Sequence, residues 1–133
     1  MKNFSPIALA ISLFALTTGC GESLSAVSGT VTLDGKPLED AFVEFSPSAG
    51  RPSLGKTDED GHYKLEYSTT KSGVEPGEHT VRIGTFEEES IDMNTGQPTA
   101  GAEEIVPVKY NRETELTAKV KSGQNNINFN LDL

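Results

Sequence analysis

From Val27 onward, apolar and polar residues alternate in short bursts set off by Gly, Pro, Asp and Asn, and no 3.6-residue period is sustained anywhere. Val27, Gly29, Val31 and Leu33 alternate with Ser28, Thr30 and Thr32, which predicts a first strand with one buried face. Asp34-Gly35 is a hairpin turn signal, because both residues tolerate positive φ, and Pro37 stiffens the return. Ala41, Val43 and Phe45 then form the inward side of a second strand, with Phe42 and Glu44 outward. A loop over 46–53 with Pro47, Gly50 and Pro52 leads to a short strand, Leu54 to Thr57, and a further strand, Tyr63 to Tyr67. Between those two lies Asp58-Glu59-Asp60-Gly61. Asp58 and Asp60 can fold carboxylates back onto backbone N–H groups, and Gly61 occupies the place where a hairpin turn needs positive φ.

After a loop over 68–75, Pro76-Gly77 opens the longest strand, Glu78 to Phe86, with Val81 and Ile83 inward. The pattern then fails over 87–103, a segment with Glu87-Glu88-Glu89 and little apolar content, which reads as a long mobile loop. Ile105 to Tyr110 reads as an edge strand interrupted by Pro107. Leu116, Ala118 and Val120 make one more strand, and Ile127, Phe129 and Leu131, alternating with Asn126, Asn128 and Asn130, make the last. Seven or eight short strands at this spacing predict an all-β sandwich over 27–133.

The first 19 residues are of another kind. Lys2 is the only charge before Cys20, and Ile7 to Leu16 is an apolar run too short to span a bilayer, the layout of a cleaved secretory signal peptide. Its end, Leu16-Thr17-Thr18-Gly19-Cys20, resembles the bacterial lipobox, with Thr17 where that motif usually has Leu. That resemblance implies cleavage before Cys20 and lipidation of its thiol. An ordinary secretory signal cut nearby is the alternative. The expected organisation is a signal peptide over 1–19, a polar tether over 20–26 and the β domain over 27–133, exported and held to the membrane of the cell envelope by its lipid. With Cys20, the only cysteine, acylated, the domain has no thiol for a disulfide, a metal or a nucleophile.

Composition narrows the partners. The formal charge is −9, and loss of Lys2 with the signal makes it −10. No cluster of Lys and Arg is available to neutralise phosphates, so nucleic acid is not an expected partner. The acidity reads as a solubilising surface.

Gly29-Thr30-Val31, Asp34-Gly35-Lys36-Pro37-Leu38, Ala41-Phe42-Val43, Thr57-Asp58-Glu59-Asp60-Gly61-His62-Tyr63 and Pro76-Gly77-Glu78-His79-Thr80-Val81 fall in the order seen in carboxypeptidase regulatory-like domains. The chain resembles that family over nearly all of 27–133. With Val106-Pro107-Val108-Lys109-Tyr110-Asn111 and the Asn-rich end, it is similar to small lipoproteins of the planctomycete type. The resemblance implies a transthyretin-like (prealbumin-like) Greek-key sandwich and a non-catalytic accessory role. Fold alone does not assign activity. The hydroxyisourate hydrolases share the fold but use a Tyr-Arg-Gly-Ser tail, and Asn128-Phe129-Asn130-Leu131-Asp132-Leu133 has nothing of it.

Few residues remain as candidates for chemistry. Asp58-Glu59-Asp60-Gly61 is similar to the opening of a calcium loop, which makes Asp58 and Asp60 weak calcium candidates. The third acidic position and the distal bidentate Glu are missing, so a structural turn is the favoured reading. His62 and His79 have no second His or Cys at ligand spacing, which argues against zinc. No Gly-x-Ser-x-Gly elbow marks a nucleophile, and no cofactor is expected. The expectation is a structural or accessory envelope lipoprotein. The alternative is a binding module for glycan, peptide or another envelope protein, working through Phe42 and the 87–103 loop.

Overall fold

A computed structural model of the chain describes residues 23–133. The signal segment 1–19 and Cys20 lie outside the described residues. Eleven short strands follow in order: β1 Ala26–Leu33, β2 Lys36–Pro37, β3 Phe42–Pro47, β4 Ser53–Lys56, β5 His62–Lys64, β6 Gly77–Gly84, β7 Ser90–Ile91, β8 Pro98–Thr99, β9 Thr117–Val120, β10 Gln124–Asn126 and β11 Phe129–Leu131. They form an all-β fold of two main sheets and one small one. The first has β1 at its centre, with β10 and β11 along one side and β2 and β5 along the other; the second runs β4-β3-β6-β9; β7 and β8 pair alone.

The core lies between the two main sheets. Val27, Val31, Tyr63 and Leu131 from the first meet Val43, Phe45, Val81 and Ile83 from the second, all buried. Phe129 of β11 sets its ring edge-on to Phe45 at 6.1 Å between centroids and lies 6.3 Å from Tyr63. The alternation read along β1, β3, β6 and β11 is the alternation observed, because a pleated strand sends successive side chains to opposite faces.

The first and last strands pair in parallel and in one constant register. Ala26 lies opposite Gln124, Val31 opposite Phe129 and Leu33 opposite Leu131. At the middle of this pairing the chains come unusually close, and a Cβ on Gly29 would stand 1.9 Å from the Ile127 carbonyl oxygen. Gly29 is therefore needed for proximity, not for an unusual φ. The Ile127 carbonyl accepts a hydrogen bond from the Tyr63 phenol, and Asn128 Oδ1 takes over from a main-chain carbonyl to accept the Thr30 N–H at 2.9 Å.

Several expectations change. Ser25 is buried and exchanges two main-chain hydrogen bonds with Val74, both 2.8 Å, so the end of the expected 20–26 tether already belongs to the fold and β1 starts at Ala26. The acidic turn does not join neighbours of one ladder. It carries the chain from β4 in one sheet to β5 in the other, strands that lie close without pairing, with the Leu54–Glu66 bridge just beyond β5. The 105–110 segment forms a 3-10 turn over Val108–Tyr110 instead of an edge strand, since Pro107 has no N–H to give a ladder. The 87–103 segment carries a hairpin, β7 and β8, closed at its base by the Glu87–Ala102 bridge.

Candidate functional site

The acidic turn is built around one carboxylate. Asp58 Oδ1 accepts the backbone N–H groups of Asp60 and His62, each at 2.9 Å, while the Asp58 N–H and carbonyl bond His62 and Gly61 across the turn. Gly61 has φ +77, and a Cβ there would lie 2.6 Å from the Val31 carbonyl oxygen. The Gly61 carbonyl in turn accepts the Val31 N–H at 2.8 Å. The turn is thus moulded onto β1.

This geometry also gathers Asp58, Asp60 and His62, whose ligand atoms lie within 4.8 Å of one another, all exposed. Sequence spacing pairs only the two aspartates. The joining of His62 follows from Gly61, which reverses the chain so that residue 62 returns beside residue 58. Calcium takes six to eight oxygens, whereas this group offers two carboxylates, one with an oxygen already accepting two N–H groups, and an imidazole nitrogen. The arrangement matches a structural turn better than a calcium loop.

The second histidine is placed quite differently. His79 is buried in β6, its ring tilted against Phe45 at 5.8 Å. Its Nε2 donates to the Glu75 carbonyl at 2.7 Å, and Nδ1 is buried with no partner among the described residues. The two histidines stand in separate strands of separate sheets.

Sequence reasoning missed Glu104, Thr57 and Asn111, which organise the end of the fold that carries the hairpin arm. The Glu104 carboxylate accepts the N–H groups of Thr85 and Val106, at 2.9 and 3.0 Å, and Asn111 Nδ2 donates to the carbonyls of Ile83, Val106 and Pro107. Thr57 Oγ1 accepts the Ala41 N–H at 2.8 Å in a buried position. Phe86, Glu104, Asn111 and Arg112 line a groove of about 440 Å³. The signal for these residues was weak, because each acts on main chain far away in sequence.

The other expected binding elements lie on the outside. Phe42 is about one-third exposed, with Lys56 Nζ over its ring at 5.2 Å, and Lys56 forms an ion pair with Glu87 at 2.6 Å. The hydrogen bond that Lys56 donates to Glu87, more than the Glu87 charge at a distance, raises the Lys56 pKa. The arm presents Ile91 and Met93, the latter 94% exposed, on a turn in which Asp92 Oδ1 accepts the Asn94 and Thr95 N–H groups. Glu87, Glu88, Glu89, Asp92 and Glu103 make the arm acidic, and no Lys or Arg lies between residues 87 and 103.

No protein-family model matches the chain, and no curated protein matches it. Among solved structures, it is similar to a DUF3823 family protein from Parabacteroides merdae, with 16% identity over 80% of this chain and 44% of that one, at a TM-score of 0.41. It is also similar to a 9R-lipoxygenase from Cyanothece, with 16% identity over 83% of this chain and 16% of that one, at a TM-score of 0.43. The chain spans less than half the length of either protein.

Proposed function

We propose that this chain is a non-catalytic accessory lipoprotein of the cell envelope, a carboxypeptidase regulatory-like domain with a transthyretin-like Greek-key sandwich, held to the membrane through Cys20. The observation that carries this reading is the polarity of the domain. The chain enters β1 beside Val74 and Gly123, at one end of the sandwich. The acidic turn, the 104–111 segment and the hairpin arm all lie at the other end, where β1 finishes beside Leu131 and β6 finishes beside Phe42. The seven steps of β1 put about 23 Å between the two ends. An anchor at Cys20 would hold the first end to the lipid and present the second away from it. Three of the groups suited to chemistry are engaged in the fold: Asp58 in its turn, His79 under Phe45, and Glu104 on the Thr85 and Val106 N–H groups.

The test is acylation itself. Multiply acylated Cys20 gives stable partition, since each buried CH₂ contributes about 0.8 kcal/mol. Cys20→Ser is expected to move the protein into soluble fractions, and intact-mass spectrometry of the wild type is expected to show added acyl chains. A wild type without lipid, together with unchanged partition of Cys20→Ser, would overturn the anchoring.

A second reading, a binding module for another envelope protein, is favoured by the arm. An isolated two-stranded hairpin is marginal in water, and this one leaves Ile91 and Met93 exposed at the end away from β1's start. Loss of a defined envelope complex on Ile91→Ser with Met93→Ser, at unchanged stability, is the result that would prefer it.

A further inference from the structure

The outward face of the first sheet carries a chemical pattern that neither the anchor nor the arm uses. Of the whole chain, 23% is charged, yet the outward positions of β1, β10 and β11 hold no charge at all. They carry Ser28, Thr30 and Thr32 beside Asn126, Asn128 and Asn130, with Ala26 and Gln124 at one end. Asn is disfavoured in strands, yet it stands at Asn126 of β10, at Asn130 of β11 and at Asn128 between them.

The register arranges these side chains in rows. Ser28 has Asn126 on one side and Lys64 on the other; Thr30 has Asn128 and His62; Thr32 has Asn130 and Pro37. Rows repeat about every 6.6 Å along the strands and columns about every 4.8 Å across them. Two rows are braced internally. Thr30 Oγ1 donates to Asn128 Oδ1 at 3.1 Å, and Thr32 Oγ1 to Asn130 Oδ1 at 2.9 Å. Each bond fixes a hydroxyl and an amide in place while leaving the amide NH₂ without a partner among the described residues. In the third row, the Ser28 hydroxyl and the Asn126 amide have no partner among the described residues, nor has the His62 ring. Between the rows the face sinks into a shallow hollow of about 280 Å³ over Gly29, bordered by Ser28, Thr30, His62, Asn126 and Asn128.

We infer that this strip binds an uncharged carbohydrate, a chain of neutral pyranose sugars lying along β1. The braced rows offer amide NH₂ donors beside hydroxyl acceptors, and Ser28 and Asn126 can both donate and accept, which is what vicinal sugar hydroxyls require. The cross-strand bonds hold Thr30, Asn128, Thr32 and Asn130 in fixed rotamers, so little freedom of these side chains is lost when a ligand arrives. The electrostatics select the same class. β1, β10 and β11 contribute no carboxylate to the strip, and its one edge carries Lys64 and His62 with Asp58 and Asp60 beside His62, too few cations for a phosphate polymer. A protein partner would call for an apolar, aromatic centre, and the strip has only Ala26. The inference concerns the sheet face and stands whether or not Cys20 is acylated.

The experiment uses the full chain, isotope-labelled and kept in mild detergent, with NMR detection of the Asn side-chain NH₂ signals. The probes are the tetrasaccharides of β-1,4-glucose, α-1,4-glucose, β-1,4-mannose and β-1,4-N-acetylglucosamine, with a galacturonate tetramer as the charged comparison. The expected result is saturable movement of the Asn126 and Asn128 NH₂ signals with at least one neutral probe at or below about 10 mM. Asn126→Ala, which removes a side chain the fold does not use, should weaken that binding about fivefold or more at an unchanged melting temperature. Met93→Ala on the arm should leave it unchanged. The inference falls if no neutral probe moves those signals, if movement centres on the arm, if the galacturonate tetramer binds as well as the neutral ones, or if raising the protein concentration alone shifts the strip, which would make it a contact between copies.

Discussion

Gly61 lies against Val31 so closely that a Cβ on Gly61 would stand 2.6 Å from the Val31 carbonyl oxygen, while its own carbonyl accepts the Val31 N–H. Gly35 offers a natural comparison, with φ +80 against +77, but with nothing within 4 Å of its missing Cβ. The two positions separate the cost of positive φ from the cost of proximity. Gly35→Ala is expected to destabilise by about 1–2 kcal/mol from backbone conformation alone. Gly61→Ala is expected to cost about 2–4 kcal/mol, because main chain on both sides must move as well. Urea melts of both variants check it. Equal losses would mean that the turn can lift away from β1 without penalty.

The Tyr63 phenol gives the fold an alkaline limit. Burial pushes its pKa above the ordinary value of 10.0, because the buried ring resists becoming an anion. The folded state therefore holds the proton more tightly than the unfolded chain. Its contribution is fully present below pH 10 and declines as pH rises past that unfolded value. Stability measured between pH 9 and 11.5 should fall in the wild type. Tyr63→Phe should start lower by about 1 kcal/mol, from the lost bond to the Ile127 carbonyl, and show a shallower fall. Parallel slopes in the two proteins would rule out Tyr63 as the titrating group.

The last strand tests which outward residues merely face water. Phe129→Ala removes a ring packed against Phe45 and Tyr63 and is expected to cost about 3–5 kcal/mol. Alternation alone would make Asn126 and Asn128 equivalent surface residues. The structure separates them, since Asn128 accepts the Thr30 N–H where the two chains crowd past Gly29. Asn128→Ala should cost about 1–2 kcal/mol by orphaning that donor. Asn126→Ala should stay within about 0.5 kcal/mol. Chemical denaturation of the three variants decides it, and equal behaviour of the two asparagines would show that Thr30 finds another acceptor.

That contrast shows what a sequence of this kind can and cannot reveal. Period-two alternation placed Val43, Phe45, Val81, Ile83 and Phe129 in the core, because burial of one strand face is a local property. Asp34-Gly35 and Gly61 were legible for the same reason: positive φ restricts residue type at a single position. Pairing partners are not local. Nothing near Val31 announces that it lies beside Phe129 in a parallel ladder, and so the substitution of the Asn128 side chain for a main-chain acceptor was hidden too. The β7–β8 hairpin escaped notice because its strands are two residues each and bury nothing, leaving no alternation to read. The Asp58, Asp60 and His62 group was half visible, since two of its members share a motif and the third arrives only through the reversal at Gly61.

The arm and its base make opposite predictions although they adjoin. Residues 88–100 are nearly all exposed, and none of them belongs to the core. Replacing 88–101 with a short Gly-Ser turn, while keeping Glu87 and Ala102, should change stability by less than about 1 kcal/mol, since loop-closure entropy varies slowly with length. Glu104 lies just beyond, and its carboxylate accepts the Thr85 and Val106 N–H groups at the end of β6. Glu104→Ala leaves two main-chain donors without that acceptor and should cost about 2–3 kcal/mol. Urea melts of the two variants separate an external arm from a packed one. A large loss on excising the arm would mean that it supports the sandwich, and a harmless Glu104→Ala would mean that water satisfies the end of β6 equally well.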